Sequence, residues 1–152
     1  YNPPDQISAS SVIKLNKIQL EQIKYEAIAS YPSECCGLLI GNKHNNLHTI
    51  NNIIPSNNIL KSQGNDCFEI DPQDRINQER ISRGTRNSVI GHFHSHPNCP
   101  STPSKIDLQM AYEPEMIWLI VSVIKGRFQD FGTYQLNKSN QQFIKIRCEI
   151  IN

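Results

Sequence analysis

The amino-acid sequence predicts an α/β domain, a mixed sheet covered by helices, with elements in the order α-β-β-β-α-β-α-β-β-β. Three observations predict it. A capped amphipathic helix stands near the start: Asn16 serves as its cap, Gln19 follows three residues on, and Leu20, Ile23, Ala27 and Ile28 line one face. Short apolar or alternating runs, each bounded by turn residues, recur along the rest of the chain. The length of 152 residues fits one domain.

Taken in order, Tyr1 to Ser11 carries Pro3, Pro4 and polar residues and reads as a loose lead-in. The first helix ends near Ser30, because Pro32 disfavours helix at Tyr31. Cys36 to Ile40 is a buried strand closed by Gly41-Asn42, and Leu47 to Ile54 is its hairpin partner. Pro55 to Asn65 is a polar loop, followed by a short strand over Cys67-Phe68-Glu69-Ile70. Asp71-Pro72 is an N-cap and N1 pair that opens a helix to about Arg83, with Gly84 as its stop. Only Ile76 and Ile81 are available to pack, which puts that helix on the surface.

Asn87 to Phe93 is a strand, and Ser104 opens a helix to about Tyr112 with Ile106 and Met110 at i, i+4. Met116 to Val123 is a continuous apolar strand, expected to be buried on both faces. Arg127 to Leu136 is a further strand. In the last one, Ile144, Ile146, Cys148 and Ile150 alternate with Lys145, Arg147 and Glu149, giving one buried and one wet face.

Composition narrows the function classes. Hydrophobic residues make up 38% and charged residues 19%, the balance of a globular protein with a modest core. A formal net charge of +1 supplies no field toward nucleic acid or an anionic membrane, and neither is expected as a partner. No apolar run approaches the ~20 residues of a membrane helix; the longest is Met116 to Ile124. The chain starts at Tyr1, so a leader could have been cut away. Five cysteines without a framework spacing read as reduced thiols of a cytoplasmic protein.

The stretch Gly91-His92-Phe93-His94-Ser95-His96-Pro97 leaves the end of a strand. His94 and His96 are two apart and share a face on extended chain, so both imidazoles can hold one metal ion. Three prolines lead to Ser104, and Asp107 falls at the N3 position of the next helix. Its carboxylate there can turn back toward the histidines, or simply favour the helix start. Two His and one Asp leave a fourth position open on zinc, the arrangement of a catalytic site. Cys99 complicates this, since His94-x-His96-x-x-Cys99 is a plausible ligand set too; the missing Cys-x-x-Cys favours a loop thiol. His92 shares the histidine face and is either a substrate or ligand contact or a satisfied polar group.

His-x-His, seven residues, Ser, two residues and Asp resembles the JAMM (MPN+) metallopeptidase motif, and Glu34-Cys35-Cys36-Gly37-Leu38-Leu39-Ile40-Gly41 resembles the setting of its upstream Glu. The resemblance covers roughly Asn16 to Val123. It implies that residues 1–152 form one domain of compact prokaryotic type, an α-β-α sandwich with a mixed central sheet similar to the cytidine deaminase architecture. It implies zinc on His94, His96 and Asp107, with catalysis by Glu34 as proton shuttle and Ser104 as oxyanion donor. It implies hydrolysis of a peptide or isopeptide bond after the Gly-Gly tail of a ubiquitin-like or sulfur-carrier protein. A zinc site at a strand end beside a free sheet edge would receive such a tail by backbone pairing. Two other readings are a non-catalytic interaction scaffold of the same fold and a zinc hydrolase of a small amide or nucleobase.

Overall fold

The computed structural model describes residues 7–137, 139 and 141–152. Among these, the chain forms β1 (Ile7–Asn16), α1 (Lys17–Ser30), β2 (Cys36–His44), β3 (Leu47–Ser56), a 3-10 turn (Lys61–Gln63), α2 (Pro72–Ser82), β4 (Ser88–Pro97), α3 (Lys105–Met110), β5 (Ile117–Ile124), β6 (Arg127–Asn137) and β7 (Gln142–Ile151).

The strands run side by side in the order β1-β3-β2-β4-β5-β6-β7, and β7 pairs with β1 to close the sheet. The β1/β3, β1/β7 and β4/β5 pairs are parallel and the others antiparallel, so the sheet is mixed, as expected. It is not the open central layer of an α-β-α sandwich. One element accounts for that correction. The lead-in expected over residues 1–11 is a strand from Ile7 onward, and that strand closes the sheet. Its register partners are Leu47–Thr49 and Lys145–Ile151, which are remote in sequence, so no local pattern announces it. Residues 1–6 lie outside the described residues.

The cap of α1 forms as the sequence implies. Gln19 N donates to Asn16 Oδ1 at 2.8 Å, and Asn16 N donates to Gln19 Oε1 at 3.0 Å. Gln19 Nε2 also donates to the Ile50 carbonyl, which pins the helix start to β3. Leu20, Ile23 and Ala27 join the larger core with Ile13, Leu39, Phe93 and the odd-numbered residues of β5. Ile28, expected on the same face, is exposed.

The even-numbered residues Trp118 and Ile120 of β5 face the other way, into a second cluster with Tyr134 and Phe143. Thus β5 is buried on both faces. Two glycines let the strands curve and close. A Cβ on Gly41, at the irregularity where β2 meets β3, would lie 1.9 Å from the Thr49 carbonyl oxygen. A Cβ on Gly91 would lie 2.5 Å from the Ile117 oxygen.

Two further expectations need correction. Cys67–Ile70 is not a strand; only an isolated bridge joins Ile70 to Asn58, because the segment has no long partner to ladder with. In β7, Ile146 is buried but Ile150 is 37% exposed, since the strand outruns the core at its end. The surface placement of α2 holds, with Ile76 and Ile81 both exposed.

Candidate metal centre

His94 and His96 project from β4 onto the face opposite α1. Both are buried. Their Nε2 atoms lie 3.2 Å apart. Ser104 caps α3: its Oγ accepts from Asp107 N at 3.0 Å, and Ser104 N donates to Asp107 Oδ2 at 2.9 Å. That reciprocal cap turns the Asp107 carboxylate back toward β4. Its Oδ2 is 3.0 Å from His96 Nε2 and its Oδ1 is 3.3 Å from His94 Nε2.

Glu34 arrives from the link between α1 and β2. Its neighbour Cys35 is strapped to β4 by two bonds, Cys35 N to Ser95 Oγ at 2.8 Å and Ser95 N to Cys35 O at 3.1 Å. Ser95 is the residue between the two histidines, so the strap sets Glu34 beside them. One ligand atom from each of Glu34, His94 and His96 lies within 4.8 Å of the others.

The donor set fits a divalent cation. His96 Nδ1 lies 2.8 Å from the Pro100 carbonyl oxygen and therefore donates to it, leaving the Nε2 lone pair aimed at His94 and Asp107. The His96 lone pair and the Asp107 carboxylate thus face each other beside His94 Nε2, where a proton or a cation relieves their repulsion. His94 Nδ1 and Glu34 Oε1 have no hydrogen-bond partner among the described residues. Imidazole with carboxylate suits zinc, whereas magnesium or calcium takes more oxygens.

The charges are tuned in opposite directions. Burial pushes Asp107 up, but the two histidines outweigh it and hold the carboxyl well below the usual range. Burial alone dominates at Glu34 and pushes it up to about 8. Burial lowers His96, yet the Asp107 carboxylate beside it outweighs this and raises it; His94, more deeply buried, is lowered.

All five residues singled out in the sequence, Glu34, His94, His96, Ser104 and Asp107, come together here. Cys99 does not join them. It is an exposed thiol on the rim of a cavity of about 220 Å³ that Glu34, His96 and Ser104 also line. His92 lies beside the cluster: its Nδ1 has no partner among the described residues, burial lowers it to about 3, and its ring makes an edge contact with Trp118. Ser95, Asn58 and Phe68 also belong to the surroundings of the site. Asn58 Nδ2 donates to the Glu34 and Cys67 carbonyls, and its Oδ1 accepts from Leu60 N and Glu69 N. Phe68 stacks on the His94 ring, with centroids 4.2 Å apart and planes 16° apart. Nothing local marks Asn58 among its polar neighbours.

On its β5 side β4 is paired from Gly91 to Pro97, but its ladder with β2 ends at His94, so beyond the Ser95–Cys35 bond the β2 side of its end at His96 and Pro97 has no ladder partner among the described residues.

A closed mixed sheet brings a helix start and a strand end together on a buried cluster that could hold a metal ion. The chain belongs to the family of prokaryotic homologs of the JAB domain, which matches residues 17–134. It is 32% identical over 124 residues to the desampylase of Pyrococcus furiosus, covering 82% of each chain. Its fold is similar to a solution structure from Desulfitobacterium hafniense, with a TM-score of 0.79, 26% identity, and coverage of 92% of this chain and 93% of that one. A JAB1/MPN domain protein from Archaeoglobus fulgidus shares the fold at a TM-score of 0.54 and 18% identity, covering 95% of this chain and all of that one.

Proposed function

We propose that this protein is a zinc-dependent hydrolase of peptide or isopeptide bonds, cutting after the Gly-Gly tail of a ubiquitin-like or sulfur-carrier protein. The observation that carries the reading is the convergence of two imidazole nitrogens and the Asp107 carboxylate on one point, with a Glu34 oxygen alongside that has no hydrogen-bond partner among the described residues. Similarity to a desampylase supports the substrate class.

In this reading His94, His96 and Asp107 hold the cation. Zinc there supplies Lewis acidity, which polarises a carbonyl and acidifies water near neutrality. Glu34 takes the proton of the attacking water and returns it to the leaving amine. A carboxyl that burial raises toward neutrality does both halves of that exchange, and a divalent charge nearby eases the uptake half by favouring the ionised form. The Ser104 hydroxyl spends a lone pair on the Asp107 amide and keeps its hydrogen, which is free to stabilise the tetrahedral oxyanion.

The test combines zinc content with turnover of a Gly-Gly-linked carrier fusion, with and without chelator. Glu34→Gln should keep zinc and fold but lose turnover by ~10²–10⁴-fold. Loss of zinc in that variant would make Glu34 a ligand and overturn the assignment. Purified protein without stoichiometric zinc and without turnover would leave a scaffold.

A further inference from the structure

Glu34 shares its cavity of about 220 Å³ with a second acid, Asp66, which is exposed and has no part in the metal cluster. Both neighbours of Asp66 are tied to the chain around Glu34. On one side Ser33 Oγ donates to Asn65 Oδ1 at 3.3 Å. On the other, Asn58 Nδ2 donates to the Cys67 carbonyl at 3.0 Å and to the Glu34 carbonyl at 3.2 Å. The turn before it passes through Gly64 at a φ of +145°, where a side chain would be strained. The segment is thus folded to hold a carboxylate beside Glu34. Burial does most to raise the Glu34 pKa, and Asp66 is close enough to add to the rise.

Neither Lys nor Arg lines this cavity, and Pro97, Cys99 and Ile106 supply apolar wall. An acidic side chain entering it leaves water and meets Asp66 with like charge. A lysine or arginine lays its stem on that wall while its charge reaches the Asp66 carboxylate.

On the hydrolase reading Glu34 returns its proton to the leaving amine. That amine therefore comes within hydrogen-bond reach of Glu34, in the cavity that Asp66 also lines. The residue that begins with this amine brings its side chain in beside it. We propose, on that reading, that Asp66 is a specificity-determining residue, favouring a basic residue immediately beyond the scissile bond, on the leaving-group side.

The experiment measures kcat/KM on three carrier fusions that differ only in the residue after the scissile bond, Lys, Gln or Glu. Zinc content and melting temperature serve as controls. Wild type should prefer Lys over Glu by about tenfold or more at low salt, with Gln between, and the ratio should shrink as salt is added. Asp66→Asn should bring the Lys-to-Glu ratio close to one, and Asp66→Lys should invert it. Asp66→Glu, which keeps the charge, should keep the preference. All three variants should hold zinc as wild type does, since the side chain they change is exposed. Short peptides beginning with Lys or Glu, the amine products of these fusions, give a readout apart from turnover. In a chemical-shift titration wild type should bind the Lys peptide more tightly, and Asp66→Asn should not distinguish the two.

Wild type that cleaves the Lys and Glu fusions equally would overturn the proposal. So would a preference that survives Asp66→Asn in size and salt dependence. Wild type that cleaves none of the fusions, yet prefers the Lys peptide through Asp66, would sink the hydrolase reading and leave the acidic subsite standing.

Discussion

At Glu34 a carboxyl is 4% exposed, one of its oxygens has no partner among the described residues, and burial pushes it up to about 8. The cost of ionising it is a stability statement as well as a catalytic one. Because the folded state binds this proton more tightly than the unfolded chain does, the stabilisation is complete below about pH 4.5 and is lost as pH rises through 8. Asp107 has the opposite sign. Its depressed pKa contributes stability above the ordinary carboxylate range that is lost only as pH falls below it, outside that window. In metal-free protein the melting temperature of Glu34→Gln should therefore gain on wild type by several degrees between pH 5 and 9. Parallel melting curves across that range would show that Glu34 is solvated rather than buried. Ser95 makes a different point at the same scale: its side chain is spent entirely on positioning, strapping the chain beside Glu34 to the strand of the histidines.

Among the elements, the segment from Asn57 to Ile70 has the least regular structure and an organising residue of its own. Asn58 makes four hydrogen bonds with its amide group, reaching Glu34, Leu60, Cys67 and Glu69. It stands in for the ladder that a true strand at Cys67–Ile70 would have made. Asn58→Ala leaves the half-buried Glu34 and Cys67 carbonyls and Leu60 N without that partner, each worth roughly 1–3 kcal/mol when lost, while the exposed Glu69 N turns to water. Amide exchange at residues 60–69 should accelerate at least tenfold in that variant, while exchange within β5 stays unchanged. Acceleration throughout the protein would mean that Asn58 supports the whole fold rather than this segment. The short helix α3 depends on its cap in the same way, since six residues are too few to persist without the Ser104–Asp107 exchange.

For the molecule as a whole, metal binding at the proposed site would be coupled to the fold. The four converging side chains come from the link between α1 and β2, the end of β4 and the start of α3, so a bound cation would tie together parts distant in sequence. Zinc should raise the melting temperature of metal-free protein, by an amount equivalent to ~2.7 kcal/mol at a free concentration one hundred times its Kd. His94→Ala with His96→Ala should abolish that response. A zinc-dependent rise that survives the double substitution would place the cation elsewhere. Among the described residues no helix is long and apolar enough to cross a membrane.

The sequence by itself determined the candidate site residues and most of the local structure. The His-x-His spacing and the Ser104–Asp107 cap are short-range facts, and a two-residue or three-residue repeat fixes which face a side chain takes before any tertiary contact forms. The α1 cap, the α2 start and the two-faced burial of β5 were legible for the same reason. Only the tertiary structure decided what depends on distant partners. β1 becomes a strand by pairing with β3 and β7, which are remote in sequence, and that pairing turns an open sheet into a closed one. Asn58 and Phe68 lie in a stretch that looks like an ordinary polar loop followed by a strand. Their roles come from where the fold brings the Glu34 carbonyl and the His94 ring, 24 and 26 residues away.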